Sequence, residues 1–216
     1  MSEWLAETWR GGAGEFHSRD LPFGRRLWLV EPARPALVLG SSQQASEVDA
    51  TAAASLGLEV CARRTGGGAV WLDPECSVWV DLTIGRDDPL WCDDVPISGV
   101  WLGEVFAKVL APLSAGTVEV WSEPYVAHPL ARALCFAGLA PGEITVSGSK
   151  AVGVSQRRTR DGARFQCILY SRWDPSRFVG AFVDPAVRTA AEGLPVSAVD
   201  IDGPGLLDRL LSALNA

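Results

Sequence analysis

Apolar residues fall into short runs punctuated by proline and glycine over most of the chain. Leu27 to Glu31 and Ala36 to Gly40 are two such runs, parted by Pro32 and Pro35, and predict two strands with a rigid break between them. After them Ser46, Glu47 and Asp49 precede Ala52, Ala53 and Leu56, with Gly57 next: a short helix capped at Ser46, acidic in its first turn and stopped by glycine. Leu58 to Arg64, Ala69 to Leu72 and Ser77 to Ile84 read as three strands stacked in sequence. In the last of them Val78, Val80, Leu82 and Ile84 alternate with Ser77, Trp79, Asp81 and Thr83, which gives the strand two unlike faces. From Ile97 to Leu113 the period changes. Val100, Trp101, Leu102, Val105, Phe106, Val109 and Leu110 recur at helical spacing, with Glu104 and Lys108 four apart on the outer side.

Further on, Glu143 to Val146 and Val152 to Gln156 predict strands, and Asp161-Gly162 is a hairpin turn into a strand from Arg164 to Tyr170. Helical patches follow at Pro175 to Phe182 and Gly205 to Leu214. Strands and helices alternate without βαβ regularity. The expected class is therefore α+β, a mixed and largely antiparallel sheet flanked by helices, in one domain over residues 1–216.

Composition narrows the function. A formal net charge of −7 and the lack of a basic stripe argue against nucleic-acid binding. No stretch approaches a membrane span, and the first residues do not read as a secretion signal. Five cysteines, an odd number with no C-x-x-C pair, indicate neither a disulfide framework nor a zinc site, and point to a reducing cytoplasm. Of the nine tryptophans, most are expected in the core.

Two segments carry candidate chemistry. In Arg63-Arg64-Thr65-Gly66-Gly67-Gly68-Ala69-Val70, three glycines without Cβ let backbone N–H groups approach a ligand oxygen, and the arginines supply charge. A flexible hairpin with solvated arginines is the plain alternative. In Gly148-Ser149-Lys150-Ala151-Val152-Gly153, Lys150 opens an apolar strand where it has no packing role, and its ammonium could offset charge that develops between two anionic reactants. Alone, such a lysine would be solvated. His17 and His128 lie in no triad or metal spacing, and the hairpin arginines Arg157, Arg158, Arg160 and Arg164 are either a solvated face or a docking patch for phosphate or an acidic carrier domain.

With Pro35-Ala36-Leu37-Val38-Leu39-Gly40-Ser41-Ser42-Gln43 before them, and with Asp73 and Gln156-Arg157, these segments resemble the motif series of lipoate-protein ligase A and its relatives, in order, over roughly residues 25 to 185. The resemblance implies a biotin/lipoate ligase catalytic fold and a reaction in which lipoate or octanoate attacks ATP, accompanied by Mg2+, to give an acyl-adenylate. A lysine of a lipoyl carrier domain then takes the acyl group. On that template Lys150 touches acyl carboxyl and α-phosphate, while Arg63, Arg64, Thr65, Gly66, Gly67, Gly68, Ala69, Val70, Asp73, Gly148 and Gly153 hold nucleotide and acyl chain.

The chain departs from the pattern in three ways. Leu72, not histidine, precedes Asp73; Phe165-Gln166-Cys167 stands where a His-Gly pair is common; and there is no C-terminal accessory domain, so an accessory subunit would have to replace it unless the ligase works alone. A rival reading starts from Cys135, fifteen positions before Lys150 and placed like the nucleophile of the octanoyltransferases of the same superfamily, which take octanoate as a thioester without ATP. A third reading is a non-catalytic acyl-binding subunit, and biotin stays open as cargo.

Overall fold

The computed structural model describes residues 3–216. Ten strands form two sheets. The larger has seven strands in the order β1-β2-β6-β10-β9-β8-β7, and the smaller has three in the order β4-β3-β5. The large sheet contains β1 (Leu5–Gly11), β2 (Arg26–Pro32), β6 (Ser77–Gly85), β7 (Val118–Val120), β8 (Ile144–Val146), β9 (Ser149–Arg158) and β10 (Gly162–Tyr170). The small one contains β3 (Ala36–Leu39), β4 (Glu59–Ala62) and β5 (Val70–Leu72). Within the large sheet β1–β2 is parallel and every other pairing antiparallel, so the mixed, largely antiparallel α+β class is observed.

The break at Pro32 to Pro35 sends β2 and β3 into different sheets. β4, β5 and β6 are consequently not stacked in sequence: β3 separates β4 from β5, and β6 lies inside the other sheet, between β2 and β10. The short helix α2 (Ala50–Ser55) is capped by Asp49, whose carboxylate accepts the N–H groups of Thr51 and Ala52; Ser46, the cap expected from sequence, sits in a preceding 3-10 turn. The 97–113 periodicity appears as α3 (Val100–Leu110), continued by one 3-10 turn.

Two apolar clusters lie on opposite faces of the large sheet, as the unlike faces of β6 require. Val78, Val80, Leu82 and Ile84 pack with Leu102, Phe106 and Leu110 of α3 and with Leu206 and Leu210 of α5 (Gly203–Leu214). Trp79, from the other face, joins the core shared with the small sheet, where Trp71, Phe136, Tyr170, Trp173 and Phe178 stack together. Asp81 and Thr83, the polar members of that face, are buried as well. The glycine loop between β4 and β5 lies on this side.

Candidate functional site

Arg63 leaves β4 and turns inward. Only 4% exposed, it donates from one Nη to the carbonyls of Gly66 (2.6 Å) and Gly68 (3.0 Å), so it clasps its own glycine loop. Its Nε and other Nη have no protein partner, and no carboxylate pairs with it among the described residues. A buried, half-partnered guanidinium favours an arriving anion or polarised carbonyl. Gly67 has φ +93°, which glycine adopts freely. Gly68 packs directly on the next segment: a Cβ there would lie 2.5 Å from the Leu134 nitrogen. The N–H of Ala69 donates to Ala133 and that of Cys135 to Ala69, so the loop and the 133–135 segment are hydrogen-bonded together.

Lys150 is 5% exposed and meets three acceptors: the carbonyls of Cys135 (3.0 Å) and Gly138 (3.0 Å) and the Glu143 carboxylate (2.7 Å). Those exhaust the three N–H bonds of an ammonium. Glu143, itself 3% exposed, also accepts the N–H groups of Ala140 and Val154. The pair thus ties the Cys135 segment to the start of β9. Gly153 makes room, since a Cβ there would stand 3.1 Å from the Phe136 ring and 3.4 Å from the Lys150 Cε.

A narrow, mostly apolar slot of ≈ 30 Å³ lies between these elements. Arg63, Val70, Cys135 and Gly153 form part of its wall, with Trp79, His17 and Gln166. A wider groove of ≈ 820 Å³ runs beside the glycine loop and includes Gln43, Gly67, Tyr125 and Arg132. Sequence and structure agree less well for other candidates. Arg64 is exposed and pairs with Asp20 (2.8 Å) and the Ser18 carbonyl. Asp73 is buried in its own turn, paired with Arg177 at 3.0 Å, and lines none of the cavities described here. Gly148 sits at the exposed tip of the β8–β9 hairpin beside Ser147, both with positive φ. Thr65 is buried near Ser155 and Gln166, 3.3 Å from each.

The arginine cluster of the hairpin does not form a patch. Arg164 is buried against Asp81 (2.6 Å), Arg158 stacks over Trp91 at 3.9 Å, and Arg157 and Arg160 stay at the surface beside Asp20 and Asp161. Alternating residues along a strand point to opposite faces, which divides such a cluster.

The local sequence does not single out Glu143 or His17 as site residues. For Glu143 a signal existed, an acid and a base flanking one tight turn. His17 belongs to α1 (Ala13–Ser18), whose anchors are remote: Glu59 accepts the N–H groups of Ala13 and Gly14, and Arg164 donates to the carbonyls of Phe16 and Arg19. Burial, then the nearby Arg164 and Arg63 charges, lower the His17 pKa to about 3, so the ring is neutral near pH 7. Burial, then Glu59, pushes the Cys61 thiol up to about 12, and burial, then Asp81 and Glu143, raises the Cys167 thiol as well.

Residues 16–199 match the lipoyl protein ligase A/B catalytic domain family. The chain belongs to that family. It is 28% identical over 142 residues to the octanoyltransferase LipM of Clostridioides difficile, a match covering 65% of this chain and 51% of that protein, so the chain spans about half the length of this curated relative. A bi-partite lipoate protein ligase of Thermoplasma acidophilum, solved in a study of the enzyme and its E2 lipoyl domain, superposes with a TM-score of 0.73 at 15% identity, covering 99% of this chain and 82% of the other. A lipoate-protein ligase A bound with ATP gives 0.68 at 17% identity, covering 98% and 84%. These likenesses establish the lipoate ligase fold.

As for Mg2+, no group of three or more His, Cys, Asp or Glu side chains is placed to hold a metal among the described residues. The donor set does not fit a protein-held ion. For ATP, Arg63 offers free donors to a phosphate, whereas Lys150 has none left.

Proposed function

We propose that the protein transfers a medium-chain acyl group, octanoyl or lipoyl, from a thioester to a lysine of a lipoyl carrier domain through Cys135. The observation that carries this reading is the division of labour around Lys150. Its three N–H bonds hold the Cys135 and Gly138 carbonyls and Glu143, while Cys135 itself is in the slot wall with the half-partnered Arg63. In the first step the Cys135 Sγ attacks the acyl carbonyl, a new C–S bond forms, and the donor thiol leaves with a proton. The free Arg63 N–H groups favour the oxyanion that forms on the way. In the second step the acceptor's lysine amine attacks the Cys135 thioester, giving an amide and restoring the thiol. Lys150 acts as a positioning residue in both.

The second reading is ATP-dependent ligation, favoured by the same free Arg63 donors and the family's ATP-bound member. It requires Lys150 to leave Glu143. Incubation with octanoyl carrier protein, followed by intact mass measurement, separates the two. An octanoyl increment lost in Cys135→Ala supports transfer; unchanged turnover in Cys135→Ala eliminates it. Pyrophosphate exchange into ATP that depends on lipoate or octanoate would instead establish the ligase.

A further inference from the structure

The far wall of the slot is polar, and transfer through Cys135 makes no use of it. Gly153, beside Phe136 and Lys150, and Ser155 lie on one face of β9 about 7 Å apart. Gln166 is paired opposite Ser155, and His17 is reached through Gln166. His17 therefore stands at the end of the slot remote from Cys135, its ring stacked on Trp79 at 4.5 Å.

The hydrogen bonds fix its tautomer. Asp81 accepts from Arg164 (2.6 Å) and Trp79 (2.6 Å), so its carboxylate receives the Gln166 amide N–H at 3.5 Å, while the Gln166 carbonyl accepts from Thr65. The same amide nitrogen lies 3.0 Å from the His17 Nδ1, which must then be the acceptor. In a neutral imidazole the proton is left on Nε2, an atom with no protein hydrogen bond among the described residues and not among the fully buried unpartnered ones, so its N–H stays open to the slot or to solvent. A mostly buried ring with a free donor thus stands at the polar end of an otherwise apolar slot.

We infer that His17 is a specificity-determining residue, its Nε2–H selecting an acyl group that carries an acceptor at its far end, a ring disulfide, over a plain saturated chain. Sulfur is a weak acceptor and makes favourable contact with aromatic rings, and Trp79 lies beside the donor. The inference rests on the acyl-transfer reading, requires the ≈ 30 Å³ slot to open around the incoming chain, and names its cargo as lipoyl rather than octanoyl.

The test offers octanoyl and lipoyl thioesters of a small thiol together, at equal concentration, and reads both Cys135 adducts by intact mass. The native protein is expected to favour lipoyl. His17→Phe, which keeps the stack on Trp79, should lower that preference about five-fold, and His17→Gln, which keeps a donor, should restore part of it. Misfolding lowers both adducts alike and leaves their ratio unchanged. An identical ratio in native protein and in a His17→Phe variant that melts cooperatively and reaches native total acylation overturns the role of His17 and leaves transfer standing. A native preference for octanoyl also overturns the role of His17, and absence of both adducts on native Cys135 overturns transfer and the inference together.

Discussion

Lys150 and His17 are both buried but differ in the charges that surround them. Lys150 stays paired because Glu143 is 2.7 Å away, so Glu143→Leu leaves a buried cation without its counter-charge; the expected loss is about 3–5 kcal/mol in urea unfolding. A loss below 1 kcal/mol would show that the pair is not maintained in solution. His17 has cations for neighbours and is held neutral, its pKa lowered from 6.5 to about 3. In the unfolded chain it takes up a proton below about 6.5, whereas the folded chain resists until about pH 3. This group's stabilising effect is complete above the unfolded value and is lost progressively as pH falls from 6.5 towards 3, by a few kcal/mol in all. His17→Phe should flatten the fall of melting temperature across that window. Parallel native and variant curves would mean that His17 protonates in the fold. Thiol chemistry provides a third test. Burial disfavours the thiolates of Cys61 and Cys167, so iodoacetamide should modify Cys135 well ahead of both, and octanoyl thioester should protect it. Faster labelling of Cys61 than of Cys135 contradicts the assignment.

The elements differ in how much of their cause is local. Strand β6 and helix α3 announce themselves because every residue of their period is in the segment itself. By contrast β1 is a largely exposed edge strand, and α1 is six residues long, far too short to be stable alone. Its support comes from Glu59 and Arg164, residues no local window contains, which is why a wall of the slot was illegible. Strand β7 is only three residues long, and helix α4 (Pro185–Glu192) is mostly exposed with Ala191 its one buried residue, so neither brings much apolar surface of its own. Among candidate residues, Arg63, Val70, Cys135, Lys150 and Gly153 come together, since glycine runs and a lysine in an apolar strand are local oddities. Arg64, Asp73 and Gly148 belong to the same motifs and point elsewhere, because neighbours along a chain need not share a direction. The glycine loop provides the test at this scale. Gly66→Ala meets open space and should leave Cys135 acylation nearly unchanged, whereas Gly68→Ala drives a methyl into the Leu134 backbone and should displace the Cys135 segment, with a melting temperature lowered by several degrees and acylation reduced at least about ten-fold. Equal behaviour of the two variants would refute the packing of loop on segment.

At the scale of the molecule, the large sheet divides the interior into a core that serves stability and a core that also contains the slot. The helical side, with Phe106, Leu110, Leu206 and Leu210, contributes no residue to the slot except through shared strands. The other side is aromatic, and its Trp79, Phe136 and Tyr170 stand among or behind the slot residues. A central sheet buried on both faces transmits little from one side to the other so long as its ladder is intact, because the hydrogen bonds fix strand positions independently of either core. Two substitutions of similar cost should then have different functional results. Leu206→Ala empties a fully buried site on the helical face and should cost about 2–5 kcal/mol of stability, while the lipoyl-to-octanoyl ratio on Cys135, read well below the melting temperature, stays at its native value. Phe136→Ala, adjoining Lys150 and Gly153, should cost about 3–5 kcal/mol and slow acylation as well. Urea unfolding and the two-thioester competition, run on the same preparations, check both. A changed ratio in Leu206→Ala would show that the two cores are coupled across the sheet, and the slot would then have to be understood as a property of the whole fold.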